Sequence, residues 1–278
     1  MPSALEGPAT GAVGGRIYVV GGWNGTGVLS SNQVYDPASN SWSTAASMPV
    51  ATYSDASAVW SGILYIFGGS TNGTNVVSRV WAYDPKTNLW RERAAMPTAR
   101  AEARAVVEDG VIYVIGGVNA VSDRLTTVEA YDAATDTWAE EAPLLQGKSG
   151  STVGLLGSTI TAADGDSSSG DTGDNEGYDA STNSWSSLAS DPMRRDLACG
   201  GAVAGQLYVA GGHVTGETPA LNLNESFDIS TNNWATLAPL PQPAKSAGSV
   251  VYAGHLLCFG GNASEGGPVI NNVQIYEP

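Results

Sequence analysis

The sequence predicts an all-β protein, a six-bladed β-propeller with four antiparallel strands per blade. Three observations carry this. Glycine pairs recur at a nearly fixed period along the whole chain. Each follows a short β-branched or aromatic run. A tryptophan follows each unit's aromatic–acidic pair at a constant interval.

The pairs are Gly21-Gly22, Gly68-Gly69, Gly116-Gly117, Gly211-Gly212 and Gly260-Gly261, and Asp164-Gly165 bisects the one long gap. Successive spacings are 47, 48, 48, 47 and 49 residues. The preceding runs, such as Ile17-Tyr18-Val19-Val20 and Leu64-Tyr65-Ile66-Phe67, read as strands. Glycine after them permits a positive φ and close backbone approach. Next come Tyr35-Asp36, Tyr83-Asp84, Tyr131-Asp132, Tyr178-Asp179, Phe227-Asp228 and Tyr276-Glu277. Seven residues after the aromatic stand Trp42, Trp90, Trp138, Trp185 and Trp234. The constant interval predicts a register-locked hairpin, with Asn40, Asn88, Asp136, Asn183 and Asn232 in a slot that tolerates left-handed backbone. These tryptophans are expected in the core between blades, each removing about 150–250 Å² from water. The units run over about 1–47, 48–95, 96–142, 143–190, 191–238 and 239–278, one domain in all.

Two units depart from the pattern. The fourth lacks its strand aromatic, carries Asp164 for glycine and continues into an acidic, serine-rich stretch from Asp164 to Glu176. That stretch is expected to be a mobile solvated loop in the least stable blade. The sixth stops before its Trp strand, so the last blade is expected to be incomplete and the chain to belong to a larger protein.

Composition excludes several classes. A net charge of −15 opposes contact with a phosphate backbone, so no nucleic-acid partner is expected. No 18-residue apolar run spans a membrane, and the start carries no signal-peptide pattern. Cys199 and Cys258 lie in apolar stretches without a CxxC, and buried free thiols are the expectation over a disulfide. No metal centre or cofactor is predicted. A weak calcium candidate is Asp164, Asp166 and Asp171, rich in hard oxygen ligands but off the EF-hand spacing.

The alternation of apolar-Gly-Gly, Tyr-Asp and Trp at a period near fifty resembles the kelch repeat, over essentially the whole chain. The resemblance implies a propeller whose first strands line a central channel. Loops on one face then surround the channel mouth, the default ligand site.

Six of the twelve basic residues fall in between-blade stretches: Arg100, Arg104, Lys148, Arg194, Arg195 and Lys245. Arg100, Lys148 and Arg195 share one repeat slot, sixteen residues before the glycine pair. Arg79 and Arg124 lie in nearby loops, and Tyr53 and His213 belong to the same face. On so acidic a chain this predicts a mouth that attracts anions. In cullin-ligase kelch proteins arginines at the mouth read acidic peptides, and the resemblance implies such a ligand here.

Catalytic constellations are sparse. His213 and His255 fall at opposite ends of their blades, and no GxSxG, HExxH or P-loop occurs. The leading expectation is therefore a monomeric, non-enzymatic module binding a protein or peptide at the loop face. An extracellular or periplasmic location is favoured over a cytoplasmic one. Two alternatives stand beside it. One is the extracellular sensor of a bacterial receptor such as a Ser/Thr kinase. The other is a sugar mutarotase, as some bacterial kelch proteins are, working through Glu102 with Arg100 or Arg104.

Overall fold

The computed structural model describes residues 1–217, 219–264 and 266–277. All regular structure among them is β. Five sheets hold four antiparallel strands in sequence order. Sheet one is Ala9–Val13, Arg16–Val20, Asn32–Asp36 and Ser41–Ala45. Sheet two is Ala56–Trp60, Ile63–Phe67, Val80–Asp84 and Leu89–Arg93. Sheet three is Arg104–Glu108, Val111–Ile115, Val128–Asp132 and Thr137–Glu140. Sheet four is Thr152–Leu156, Thr159–Ala163, Asn175–Asp179 and Ser184–Leu188. Sheet five is Cys199–Val203, Gln206–Ala210, Asn224–Asp228 and Asn233–Thr236. Sheet six has three strands, Gly248–Tyr252, His255–Phe259 and Val273–Tyr276.

The fourth strands are positioned by the aromatic pairs. Tyr35 and Trp42 stand directly opposite, as do Tyr83 and Trp90, Tyr131 and Trp138, Tyr178 and Trp185, and Phe227 and Trp234. Their ring centroids lie 5.0, 4.8, 4.9, 5.1 and 5.3 Å apart. The turn residue before each tryptophan has a φ of 47–58°. Tyr83 Oη donates to Asn88 Oδ1 at 2.8 Å, and Ala46 N of the previous sheet donates to the same oxygen at 2.8 Å. Trp90 Nε1 donates to Ala46 O at 2.8 Å. Trp138, Trp185 and Trp234 make the same bond to Ala94, Ala142 and Ala189. The constant interval read from the sequence is thus a hairpin that also grips its neighbour.

Two closed hydrogen-bond cycles show that the sheets form a ring. In the inner cycle Ser54 N donates to Gly7 O, Glu102 N to Ser54 O, Gly150 N to Glu102 O, Leu197 N to Gly150 O, Ser246 N to Leu197 O and Gly7 N to Ser246 O, at 2.7–2.9 Å. All six residues have φ between 52° and 64°. In the outer cycle the second glycine of each sheet donates to the next: Gly22 to Thr52 O, Gly69 to Arg100 O, Gly117 to Lys148 O, Gly165 to Arg195 O, Gly212 to Ala244 O and Gly261 to Leu5 O. The second glycines are required here, since a Cβ on Gly261 would lie 2.4 Å from Lys245 O. Adjacent first strands also touch in one cycle, sheet one meeting sheets two and six. The molecule is a β-propeller.

Three expectations are corrected. Cys199 and Cys258 are not free thiols but a disulfide, with Cα atoms 5.9 Å apart. It joins the first strand of sheet five to the second strand of sheet six, a proximity that only ring packing creates. The acidic stretch of the fourth unit is not an unstructured loop. Asp166–Ser167 pairs with Lys148–Ser149 and with Gly170–Asp171 in a small sheet. Cations capture its carboxylates: Arg124 holds Asp166, and Arg195 Nε lies 3.5 Å from Asp164. The calcium candidate fails for the same reason, because Asp171 accepts from Thr215 instead. No group of three or more metal-ligating side chains forms among the described residues.

Candidate functional site: the channel mouth

First strands begin, and second strands end, on one face of the ring. The inner cycle, the glycine pairs, the second-to-third strand loops and the between-sheet connections therefore share that face. The cycle and the first strands enclose a channel cavity of about 280 Å³, lined by Gly7, Ser54, Asp55, Glu102, Arg104 and Leu197 among others.

Outside the cycle, short bridges tie each connection to the loop beyond the glycine pair: Glu6 to Trp23, Tyr53 to Ser70, Ala101 to Val118, Asp196 to His213 and Lys245 to Asn262. Two clefts open between these loops. One, of about 480 Å³, is walled by Glu6, Trp23, Val28, Tyr53 and Asn72. The other, of about 250 Å³, is walled by Tyr53, Glu102, Val118, Asn119 and Arg124. Tyr53 is the wall they share. Burial raises its phenol above the ordinary value, and Glu6 and Glu102 add to the effect.

The basic residues predicted for this site divide sharply. Arg100, Lys148 and Arg195 are fully buried. Arg100 donates to Gly116 O, Val114 O and Thr127 O and pairs with Glu129 at 2.7 Å. Lys148 donates to Ala162 O and Asp174 O and pairs with Glu176 at 2.9 Å. Arg195 pairs with Asp191 at 2.7 Å and also with Glu225 and Asp164. These three cations clamp the second and third strands of their own sheets and do not reach a ligand on the loop face. The shared repeat slot was a structural signal. Arg79 is exposed and pairs with Glu92 at 3.1 Å, and Arg124 is half-buried against Asp166.

Arg104, Lys245, His213 and Arg194 remain. Arg104 projects from the first strand of sheet three into the channel. Burial lowers its guanidinium from the ordinary value, with Glu102 and Asp196 opposing. His213 Nδ1 lies 3.4 Å from Asp196 Oδ1, and Lys245 is buried beside Asn262. Arg194 is exposed. His255 opens the second strand of sheet six, paired with Tyr252 at the opposite face and away from His213. Burial pushes Asp196 up to about 8, with Asp171 and Glu102 adding. Burial also pushes Asp55 up to about 8.

Once the clamps are subtracted, the mouth holds Glu6 and Glu102 beside Arg104 and Arg124, no longer the concentration of cations expected. Trp23 went unnoticed in the sequence. Its signal was available: Trp23 occupies the slot immediately after the glycine pair, filled elsewhere by Ser70, Val118, Asp166, His213 and Asn262. A large aromatic there is not a repeat core residue.

Comparison with known proteins agrees with this architecture. Residues 7–149, just over half of the chain, match the KLHDC2/KLHL20/DRC7 Kelch-repeats domain, and residues 194–241 match the Kelch motif. Kelch-like protein 35 of Mus musculus is 42% identical over 59 residues, 21% of this chain and 10% of that protein. Kelch-like protein 21 of Danio rerio is 41% identical over 68 residues, 24% of this chain and 10% of that protein. The solved structure of YjhT superposes with a TM-score of 0.85 at 20% identity, covering 100% of this chain and 96% of that one.

Proposed function

The chain belongs to the kelch-repeat family, and from that premise we propose that it is a non-enzymatic binding module whose loop face receives a segment of a partner protein. The observation that carries this reading is Tyr53, a half-buried aromatic shared by two adjoining clefts at the mouth. Aromatic walls supply contact area, and the asparagines beside them supply orienting hydrogen bonds. With Glu6 and Glu102 at the clefts, the ligand carries basic or neutral polar groups. The acidic peptide expected from the shared slot loses the support of Arg100, Lys148 and Arg195, which the clamps consume. The module acts as a monomer.

Selection of a random peptide library on the purified protein tests this. Binders are expected to be enriched in Lys and Arg and to lose at least about tenfold in affinity on Tyr53→Ala. Lys86→Ala, in the third-to-fourth strand turn of the opposite face, leaves them unchanged. Acidic binders, or binders indifferent to Tyr53, overturn the reading.

The disulfide supports an extracellular or periplasmic setting, where such bonds persist. The sensor region of a bacterial receptor suits that setting. A second reading, a sugar mutarotase, rests on Glu102 and Arg104 lining one channel. Accelerated anomer exchange of a free sugar, abolished by Glu102→Gln, is the result that favours it.

A further inference from the structure

We propose that the cleft between the loops of sheets one and two is an arginine-binding subsite, in which a guanidinium of the partner segment stacks on Trp23 and forks onto the Glu6 carboxylate. This deepens the binding-module reading and rests on it. The argument starts from the short rungs that tie each connection to the loop beyond its glycine pair. Glu6 bridges Trp23, Tyr53 bridges Ser70, and Ala101 bridges Val118. The rungs repeat one backbone pattern, so the framework does not dictate which side chains they carry. Trp23 and Tyr53 are large aromatics on neighbouring rungs, and together they wall one cleft of about 480 Å³.

Backbone pairing sets the carboxylate beside the indole. Trp23 N donates to Glu6 O at 2.9 Å, and Glu6 N donates to Trp23 O at 2.8 Å. Antiparallel partners that exchange both bonds project their side chains to the same side, with Cβ atoms about 5 Å apart. Val28 bridges Trp23 on its other side. Tyr53 forms the other wall, and Gly73 lets its ring approach the loop of sheet two, since a Cβ there would lie 3.2 Å from Tyr53 Oη. Glu6 raises the Tyr53 phenol, so its charge is felt across the cleft. Both loops are braced before a ligand arrives. Asn24 Oδ1 accepts from Thr26 N at 3.0 Å and Gly27 N at 2.9 Å, and Asn72 Oδ1 accepts from Asn75 N at 2.7 Å. Binding therefore costs little ordering of the walls.

Charge selects the occupant. Among the described residues that line this cleft, Glu6 alone carries a formal charge, and its carboxylate has no hydrogen-bond or ion-pair partner. The neighbouring cleft differs, holding Glu102 and Arg124 together. A neutral ligand over Glu6 would strip water from a lone carboxylate, which is costly, whereas a cation would pair with it. Arginine fits better than lysine. Its planar guanidinium can lie on the indole face while its edge gives two parallel hydrogen bonds to the adjacent carboxylate. A lysine ammonium is a compact point charge that cannot do both at once.

The test titrates the full chain, labelled with nitrogen-15, with the capped tripeptide Gly-Arg-Gly and its lysine and citrulline counterparts. The readout is the indole N–H resonance of Trp23, assigned by its loss in Trp23→Phe; the remaining indole resonances report that each variant is folded. The arginine peptide is expected to shift this resonance saturably, with the lysine peptide about fivefold weaker and the uncharged citrulline peptide about tenfold weaker. Glu6→Gln is expected to weaken the arginine peptide about tenfold, to the level of citrulline, and Trp23→Ala to weaken it by a similar factor, read from the Tyr53 ring signals. Equal binding of the arginine and citrulline peptides overturns the proposal, as does arginine binding indifferent to Glu6→Gln. Preferential saturation of the same resonance by maltose overturns it too and assigns the cleft to a neutral glycan. Library-selected binders that need Tyr53 but neither Glu6 nor Trp23 overturn this subsite while leaving the binding-module reading in place.

Discussion

Sheets three, four and five differ from sheets six, one and two in one buried slot. In the first group the connection carries Arg100, Lys148 or Arg195, and the second residue of the third strand is Glu129, Glu176 or Glu225. In the second group the same positions hold Leu5 with Gln33, Thr52 with Trp81, and Ala244 with Gln274. Cation and carboxylate occur together or not at all. The reason is desolvation. A buried charge without its partner is costly, so neither member can be exchanged alone. Gln33 and Gln274 retain the acceptor role without the charge, taking Ser3 N at 3.2 Å and Gln242 N at 3.0 Å, much as Glu176 takes Leu145 N at 2.7 Å. The ring thus has a charged half and a neutral half with one backbone geometry.

The junction of sheets four and five goes furthest. Asp164 replaces a glycine with a φ of 59°, and Asp191 takes the slot of Met48 and Met96. Both carboxylates, with Glu225, surround Arg195. Burial lowers the Arg195 guanidinium, but Asp191 and Asp164 outweigh it and leave it above the ordinary value.

Arg195→Met is the harshest way to break this contrast. It leaves three buried carboxylates without their cation and is expected to cost about 3–5 kcal/mol in urea unfolding. A cost under about 1 kcal/mol would remove the clamp argument. The Cys199–Cys258 bond joins the two halves. Replacing both cysteines by alanine is expected to lower stability by about 2–4 kcal/mol, read from the same transition.

Asp55 tests the neutral half, where no cation pairs with it among the described residues. Burial pushes its folded carboxyl up to about 8, above the ordinary carboxylate value of 3.8. Below the lower value both states are protonated and no penalty exists. As pH rises between the two, the unfolded chain loses the proton and the folded one keeps it, so stability falls and then levels off above 8. Asp55→Ala copies the residue that sheet three has there, Ala103, and is expected to stabilise by about 2 kcal/mol at pH 8. The gain shrinks towards pH 4, and a pH-independent difference contradicts it. The smallest effect is expected for the double change Arg100→Leu with Glu129→Gln, which writes the pair of sheet one into sheet three. It should cost under about 1 kcal/mol while either single change costs several-fold more, a coupling that a double-mutant cycle measures.

Much of this was legible from the chain. Glycine pairs, tyrosines and tryptophans have one solution each in a stacked sheet, so their spacing gave the strands, the hairpins and the inter-sheet packing. The slot of Arg100, Lys148 and Arg195 was also visible, but its meaning was not. A basic residue in a connecting stretch looks the same in sequence whether it faces solvent or points back into the sheet. Its carboxylate partner lies 28 to 30 residues away and is found only by aligning the units against one another.

By itself the sequence determined the repeat, the strand order and the register within each sheet, because these follow from period-two burial and local turn chemistry. The tertiary structure decided what joins across the ring: which charges are buried, that Cys199 meets Cys258, and that Tyr53 stands between two clefts. Those are contacts between distant units, and only ring closure, which brings Gly7 to Ser246 and Leu5 to Gly261, sets them.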